Sequence, residues 1–104
     1  MIMGKFVCQR PVHPGELLKE EIEYRGLKQT ELASHMGMPY KVLNDILNCR
    51  RPVTPQSAML FEAALGISAE LIMRRQVDCS MRQTASEPSF AARLSKIRQY
   101  PPFG

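Results

Sequence analysis

The sequence predicts an all-α fold of five to six helices that contains a helix-turn-helix. Apolar residues recur every three or four positions in several short segments, which is the spacing of one helix face. Glycine, proline and N-cap residues separate these segments, and no stretch alternates apolar and polar residues in the way a strand would. With 104 residues the chain has room for one domain of ordinary size, which excludes large enzyme scaffolds such as a TIM barrel.

Charge and cysteine content give weaker indications. The chain carries 14 Lys and Arg against 10 Asp and Glu, a net charge of +4, which is a weak indication of an acidic partner. Cys8, Cys49 and Cys79 form no Cys-x-x-Cys pair, so we expect unpaired thiols, no metal site and a reducing, cytoplasmic environment. No apolar stretch is long enough to cross a membrane, and the first residues lack the apolar core of a signal peptide.

The first helix is predicted from Glu16 to Arg25. Residues 12–15 are expected to be extended, because the residue before a proline avoids the helical region, and His13 is expected to cap or brace this segment. Gly26 can adopt the left-handed conformation that ends a helix. The helix is rich in acids, so we interpret it as scaffold rather than as a surface for DNA. Its apolar residues are Leu17, Leu18, Ile22 and Tyr24.

The segment from 29 to 47 has the pattern of a helix-turn-helix. Counted from Gln29, a small residue occupies position five (Ala33) and glycine occupies position nine (Gly37). Ala33 allows two helices to approach closely, and Gly37 tolerates the positive φ of a short turn. Five apolar residues complete the pattern: Leu32, Met36, Met38, Leu43 and Ile46. Seven matches within 19 residues favour a DNA-binding motif over a purely structural helical hairpin, which stays the alternative.

The second helix of this motif is expected to open at Pro39 and to present hydrogen-bonding side chains to solvent. Its outward positions are Tyr40, Lys41, Asn44 and Asp45, which can reach base edges. Asp45 could accept a hydrogen bond from cytosine N4 or repel phosphates, and the sequence leaves both roles open. Polar and basic residues in and around the motif are placed to contact phosphates: Lys28, Thr30, Asn48, Arg50 and Arg51.

Three further helices are predicted after the motif. Thr54 and Pro55 start one helix that Gly66 ends, and a second helix starts after Ser68 and runs to about residue 82. Residues 83–89 are predicted to be a polar break before an amphipathic helix over 89–100. We therefore divide the chain into an N-terminal extension (1–11), a helix-turn-helix domain (12–82) and a helical tail (83–104). The tail has an apolar stripe of Phe90, Leu94 and Ile97, and basic residues Arg93, Lys96 and Arg98.

No motif in the sequence indicates catalysis or a bound cofactor. His13 and His35 have no cysteine or carboxylate pair at the spacing of a metal site. The sequence also lacks a glycine-rich nucleotide loop and a serine nucleophile motif. We therefore expect no enzymatic activity and no cofactor.

The chain resembles HigA/VapI-type antitoxins, a branch of the lambda-repressor-like (Xre) helix-turn-helix group, over about residues 12–80. The similar runs are His13-Pro14-Gly15-Glu16, residues 26–33, residues 44–48, Thr54-Pro55 and residues 64–70. The resemblance implies a homodimer that binds a palindromic operator in double-stranded DNA and represses its own operon. It also implies direct neutralisation of a RelE-like, mRNA-cleaving toxin. Five residues fall at positions that face DNA bases in this family: Gln29, Tyr40, Lys41, Asn44 and Asp45.

The chain departs from the family pattern at three places. Pro39 stands where members usually have Ser or Thr, and Cys49 stands where they usually have Gly, so a positive φ at Cys49 would be strained. Beyond residue 73 only Gln76 is retained. Two alternatives to the antitoxin remain: a stand-alone Xre-family regulator without a toxin, and a helical adaptor that binds proteins. Three roles stay open for the tail: packing against its own domain, a dimer or toxin contact, and an accessory DNA contact.

Overall fold

The computed structural model describes residues 13–103, and these form six helices and no strand. The all-α prediction is therefore confirmed. The predicted N-terminal extension, residues 1–11, lies outside the described residues. No described helix has the length and apolar content needed to cross a membrane. The helices are α1 (Pro14–Tyr24), α2 (Gln29–Met36), α3 (Tyr40–Leu47), α4 (Pro55–Leu65), α5 (Ala69–Ser86) and α6 (Pro88–Ile97).

Three consecutive residues, His13, Pro14 and Gly15, determine the start of α1, each for a different physical reason. The Nδ1 atom of His13 accepts a hydrogen bond from the Gly15 backbone N–H at 2.8 Å, which confirms the predicted capping role of His13. Pro14 occupies the first turn, where its missing N–H costs nothing. Gly15 is buried against α3, and a Cβ atom there would overlap the backbone carbonyl oxygen of Ile46. The absence of a side chain therefore lets α1 meet the end of α3.

Helices α4 and α5 begin at the predicted caps. The Thr54 hydroxyl accepts from the Ser57 backbone N–H at 3.2 Å, and the Ser57 hydroxyl accepts from the Thr54 backbone N–H at 2.9 Å. This reciprocal pair satisfies two donors that the first turn of a helix leaves without partners. The Ser68 hydroxyl accepts from the Leu71 backbone N–H at 3.2 Å, so both predicted helix starts are confirmed.

The core lies between α1, α2, α3, α4 and the first half of α5. Helix α1 packs on α3 and α5, α2 packs on α3 and α4, and α4 packs on α5. Phe61 is completely buried at the centre, as are Leu43 and Ala58. Other apolar side chains that close the core are Leu18, Ile22, Leu32, Met36, Ile46, Leu47, Val53, Leu65 and Ile72. The helix-turn-helix therefore rests on α1 and α4 rather than forming a hairpin on its own.

Several predicted boundaries are wrong. Helix α1 begins at Pro14 rather than Glu16, so of residues 13–15 only His13 is extended, because a proline fits the first turn of a helix. Helix α6 ends at Ile97 rather than at residue 100.

Pro39 is the N-cap of α3 with ψ 139°, and the helix itself begins at Tyr40. The polar break predicted over 83–89 is confined to Glu87, because α5 continues through Ser86 and crosses the division proposed at 82 and 83. Residues 83–86 contain no glycine or proline and can stay helical. Pro88 stops α5, since a proline forces the residue before it out of the helical conformation, and Glu87 has ψ 122°.

Helix α6 packs on α5, and much of the rest of its surface is exposed to solvent. Phe90, Ala91 and Leu94 are half-buried, whereas Ile97 remains 61% exposed and Tyr100 remains 73% exposed. No residue of α6 is fully buried. The apolar stripe predicted for the tail therefore contacts α5, but a large part of it faces solvent. A dimer, toxin or DNA contact through the exposed part stays a prediction.

Candidate nucleic-acid interface

Helices α2 and α3 form the predicted helix-turn-helix. Gly37 adopts φ 69° between them, and the Met38 backbone N–H donates to the Ala33 carbonyl at 2.9 Å. Ala33 is 2% exposed and Leu43 is fully buried, so the two helices meet closely across small and apolar residues. The steric roles predicted for Ala33 and Gly37 are confirmed.

The outer face of α3 carries a connected set of polar side chains. Asn44 donates through Nδ2 to Gln29 Oε1 at 3.3 Å and to the Tyr40 hydroxyl at 3.4 Å. Tyr40 is 48% exposed, and Gln29 and Asn44 are half-buried. Three of the five residues predicted to face bases, from two different helices, are therefore joined by hydrogen bonds. An amide and a phenol held in this way offer both donors and acceptors to a ligand in front of them.

Asp45 lies at the centre of a cluster of cations, which we call the Asp45 cluster (Lys41, Asp45, Arg50 and Arg51). Asp45 Oδ1 is 3.3 Å from Arg50 Nε, and its Oδ2 is 3.6 Å from Lys41 Nζ and 3.8 Å from Arg51 Nη2. Arg50 Nη2 also donates to Asn44 Oδ1 at 3.1 Å. Arg50, which the sequence analysis placed among the phosphate contacts, thus connects the hydrogen-bonded set around Asn44 to the Asp45 cluster.

The turn after α3 brings Arg50 and Arg51 to this face. The Arg50 backbone N–H donates to the Asp45 carbonyl at 2.8 Å, and the Cys49 backbone N–H donates to the Ile46 carbonyl at 3.0 Å. This is the hydrogen-bond pattern of a Schellman motif, which requires a left-handed residue just beyond the helix. Cys49 fills that position with φ 63°. The positive φ considered from the sequence is therefore present, in a residue whose Cβ makes it costly.

Asn48 makes two hydrogen bonds within the protein, and its predicted contact with a phosphate stays a prediction. Its Oδ1 atom accepts from Lys19 Nζ at 3.1 Å, and its Nδ2 atom donates to the Asn44 backbone carbonyl at 2.9 Å. Both ends of the amide are therefore engaged with α1 and α3. Lys19 was missed by the sequence analysis, because it lies in a helix interpreted as acidic scaffold, 29 residues from its partner.

The remaining predicted phosphate contacts lie at the start of α2. Lys28 is the N-cap residue of α2 and makes no side-chain capping hydrogen bond. Lys28 and Thr30 are both exposed, on the same helix as Gln29. Contacts of these residues with phosphates stay predictions.

The half-buried His13 and the buried Gln76 support the loop that follows α3. Burial of the His13 ring holds the pKa of His13 below its usual value of 6.5, and the nearby Arg51 backbone opposes this shift. Gln76 of α5 is 6% exposed. Its Oε1 atom accepts from the Val53 backbone N–H at 2.8 Å, and its Nε2 atom donates to the Ser80 hydroxyl at 2.9 Å. The loop that carries Arg50 and Arg51 is thus fixed from both sides.

Two further features of the described residues lie outside this face or concern possible metal ligands. Within residues 13–103 no three His, Cys, Asp or Glu side chains are grouped so that they could hold a metal ion. A groove of about 610 Å³ lies between α1 and α5, and its lining is mostly apolar. The residues that line it are Pro14, Leu17, Leu18, Glu20, Glu21, Tyr24, Ile67, Leu71, Ile72 and Arg75.

Comparison with known proteins connects this geometry to a family. No family model matches the chain. The virulence-associated protein A of Dichelobacter nodosus is 32% identical over 95 residues, which cover 89% of this chain and 91% of that protein. An addiction module antidote protein of the HigA family from Coxiella burnetii is similar in structure, with a TM-score of 0.76 and 26% identity. That comparison covers 91% of this chain and all of the other.

Two further solved structures have the same architecture. Antitoxin GraA has a TM-score of 0.76 and 25% identity, over 91% of this chain and 99% of its own. PA4674 of Pseudomonas aeruginosa, solved in complex with its operator DNA, has a TM-score of 0.73 and 25% identity. It aligns over 90% of this chain and 98% of its own. The chain, with its His-Pro-Gly start of α1 and its helix-turn-helix, belongs to the family of HigA/VapI-type antitoxins within the lambda-repressor-like group.

Proposed function

We propose that the chain is a sequence-specific DNA-binding antitoxin that represses its own operon as a dimer. The observation that carries this proposal is the hydrogen-bonded set of Gln29, Tyr40 and Asn44 on the exposed face of α3. Side chains held by one another lose little conformational entropy when they bind base edges. PA4674, which is similar over almost its whole length, binds operator DNA.

The roles of the side chains follow from their chemistry. An asparagine or glutamine amide can pair with N6 and N7 of adenine, and a lysine can donate to O6 and N7 of guanine. Tyr40, Lys41 and Asn44 are the α3 residues from which we expect base contacts, with Gln29 beside them. Contacts with phosphates set the position of the protein on the duplex. We assign these contacts to Lys28, Thr30, Arg50 and Arg51.

The chain presents one reading helix, so recognition of a palindrome needs a second copy. Two related copies would place α3 in successive major grooves about 34–36 Å apart. A DNA-binding role in a bacterial antitoxin is compatible with the cytoplasm expected from the cysteines. Neutralisation of a RelE-like toxin is the second part of the proposal, and the similarity to HigA-family antitoxins supports it.

Binding to the promoter region of its own operon tests the proposal. We expect the double variant Lys41→Ala with Asn44→Ala to lose specific binding in a gel shift, since it removes two side chains that reach the groove. Two good base contacts contribute about 1–3 kcal/mol each to discrimination, so operator affinity should fall at least tenfold. The helical circular dichroism spectrum should stay unchanged. Unchanged operator affinity in this variant would contradict the assignment of α3.

A matched control removes the same types of side chain elsewhere. Arg74→Ala with Gln83→Ala deletes a cation and an amide from exposed positions of α5, and it should leave operator affinity within about twofold, because surface substitutions away from a site have small effects. Equal losses of operator affinity in both double variants would mean that the losses reflect net charge or stability rather than base contacts.

Co-purification tests the toxin partner. Expression of the chain together with a RelE-like protein encoded by the neighbouring gene should yield a stable complex whose ribonuclease activity is suppressed. Specific operator binding without any such complex would favour a stand-alone Xre-family regulator. Weak, sequence-independent DNA binding with a steep salt dependence would instead favour a helical adaptor whose positive charge is incidental.

A further inference from the structure

Asp45 is the one acid among the residues predicted to face DNA, and its carboxylate is enclosed by the cations of its own chain. Its side chain is 15% exposed, whereas the side chains of Lys41, Arg50 and Arg51 are 84%, 62% and 48% exposed. The carboxylate therefore lies beneath the cations, and they present the outer surface. An oncoming DNA strand would meet the lysine and the two arginines first.

Both oxygens of the carboxylate are engaged. Oδ1 faces Arg50 Nε at 3.3 Å, and Oδ2 faces Lys41 Nζ at 3.6 Å and Arg51 Nη2 at 3.8 Å. A carboxylate that reads cytosine must offer an oxygen toward the base edge. In this arrangement the oxygens face three cations instead. Two of these, Arg50 and Arg51, are brought to the carboxylate by the turn at residues 48–51.

The same cations are the groups that would attract any DNA backbone. Attraction between cations and phosphates is independent of sequence and supplies most of non-specific binding. A carboxylate within 4 Å opposes that attraction by compensating one of the three charges. Three of the residues expected to distinguish one sequence from another, Gln29, Tyr40 and Asn44, carry no charge and are not affected in this way.

We propose that Asp45 is a positioning residue that sets DNA specificity: it holds Lys41, Arg50 and Arg51 in one arrangement and weakens their attraction to DNA of any sequence. This inference rests on the proposed DNA-binding function and assigns to Asp45 a role other than reading a base. On the operator, base contacts from Asn44 and its neighbours fix the register in which the held cations meet the phosphates, so the loss of attraction there is small. On random DNA no such register is fixed and the loss is larger, so the ratio of the two affinities rises.

The experiment compares Asp45→Asn with the wild-type chain on two duplexes of equal length, one from the promoter region of its operon and one of scrambled sequence. Asparagine has the same shape without the charge. We expect affinity for the scrambled duplex to rise about tenfold and the salt slope of log K to steepen by about 0.9, the increment for one additional cation–phosphate contact. Operator affinity should change by less, so the ratio of the two affinities should fall at least about threefold.

Asp78→Asn is the matched control, since it makes the same chemical change at an exposed aspartate paired with Arg82 on α5 at 3.2 Å. It should leave affinity for the scrambled duplex within about twofold of wild type. An equal rise in both variants would overturn the proposal, because net charge alone would explain it. A loss of operator affinity in Asp45→Asn with no change on scrambled DNA would also overturn it, because Asp45 would then read a base.

A second variant tests whether the change in affinity comes from the released cations rather than from a change in folding. Arg51→Gln added to Asp45→Asn removes one of the released cations and should return affinity for the scrambled duplex to the wild-type value. Failure to reverse the effect would contradict the assignment of these cations. If the wild-type chain shows no preference for the promoter duplex, the proposed operator binding is wrong. The effect of Asp45→Asn on affinity for the scrambled duplex does not depend on that result.

Discussion

Two regions of this chain have similar sequence patterns but very different surroundings. The core region (residues 13–79) and the C-terminal arm (residues 80–103) each contain helices with an apolar stripe. Leu43, Ile46 and Phe61 of the core region are at most 1% exposed, whereas no side chain of the arm is fully buried. The radius of gyration is 17.1 Å, against about 13 Å for a compact domain of this length. An apolar stripe therefore predicts a helix, but its burial depends on how many neighbours surround it.

The strongest test of this comparison removes one phenylalanine from each region. Phe61→Ala should cost about 3–5 kcal/mol in the free energy of unfolding, since it leaves a large cavity in a completely buried site. Phe90→Ala is the matched variant in the arm, where the ring is half-buried against α5 alone, and it should cost about 1 kcal/mol or less. Urea denaturation followed by circular dichroism measures both values. Similar costs would contradict the division into a packed core and a one-sided arm.

The core region also contains a position where stability can be gained. Cys49 is the one non-glycine residue with positive φ in the described part of the chain. Cys49→Gly should raise the free energy of unfolding by about 1 kcal/mol, because glycine adopts this conformation without steric cost. Cys49→Ala is the control, since it removes the thiol but keeps the Cβ atom. If the alanine variant is stabilised as much as the glycine variant, the φ angle is not the cause.

A third prediction concerns the protonation of His13, the N-cap residue of α1 in the core region. Burial lowers the pKa of His13 below 6.5, so the neutral ring contributes stability that is fully present above pH 6.5 and is lost as the pH falls toward the lower folded value. Protonated Nδ1 can no longer accept from Gly15. The loss should be about 1 kcal/mol, in the range of a helix cap. Thermal melts from pH 7.5 to 5.5 measure it.

Two histidine variants identify the source of that pH dependence. His13→Asn keeps an acceptor at the N-cap and should remove the decrease in melting temperature over this interval. His35→Gln changes an exposed histidine of α2 and should retain it. A decrease that persists in His13→Asn would assign the effect to another group.

The arm has its own cap, which is likewise lost as the pH falls, but in a more acidic range. Hydrogen bonds from the Phe90 backbone N–H and the Ser89 hydroxyl hold the pKa of Glu87 below its usual value of 4.5. The ionised cap is therefore present above pH 4.5 and is lost as the pH falls below it. Glu87 is fully exposed, so we expect faster amide exchange at Phe90 in acid and no change in the melting temperature of the core. Glu87→Gln should show fast amide exchange at Phe90 already at neutral pH. If this variant also lowered the melting temperature of the core, the independence of the arm from the core would be contradicted.

The parts of the fold that were predictable from sequence depend on local sterics. Gly37 and Ala33 each act within a single turn or helix crossing, so their residue types alone indicate their roles. The end of α5 was not predictable from the polarity of residues 83–86, because polar residues without glycine or proline are compatible with a helix. Only Pro88 carried the information, two residues after Ser86, the last residue of α5.

The candidate site was predictable as a set of residues but not as an arrangement. The outward positions of α3 follow from helical periodicity, which places Tyr40 and Asn44 on one face. The Asp45 cluster depends on the turn at Cys49, which directs Arg50 and Arg51 back over α3. The contact between Lys19 and Asn48 joins residues 29 positions apart, and no pattern in either segment indicates the other.

The close approach of Gly15 to the Ile46 carbonyl has an evolutionary consequence. Most pairs of residues in contact can vary together, since a larger side chain on one helix is accommodated by a smaller one on the other. Here the obstacle is a backbone oxygen, which every amino acid possesses. No substitution at position 46 can therefore make room for a side chain at position 15. Among chains that keep this packing of α1 on α3, the glycine should be invariant while position 46 varies freely among apolar residues.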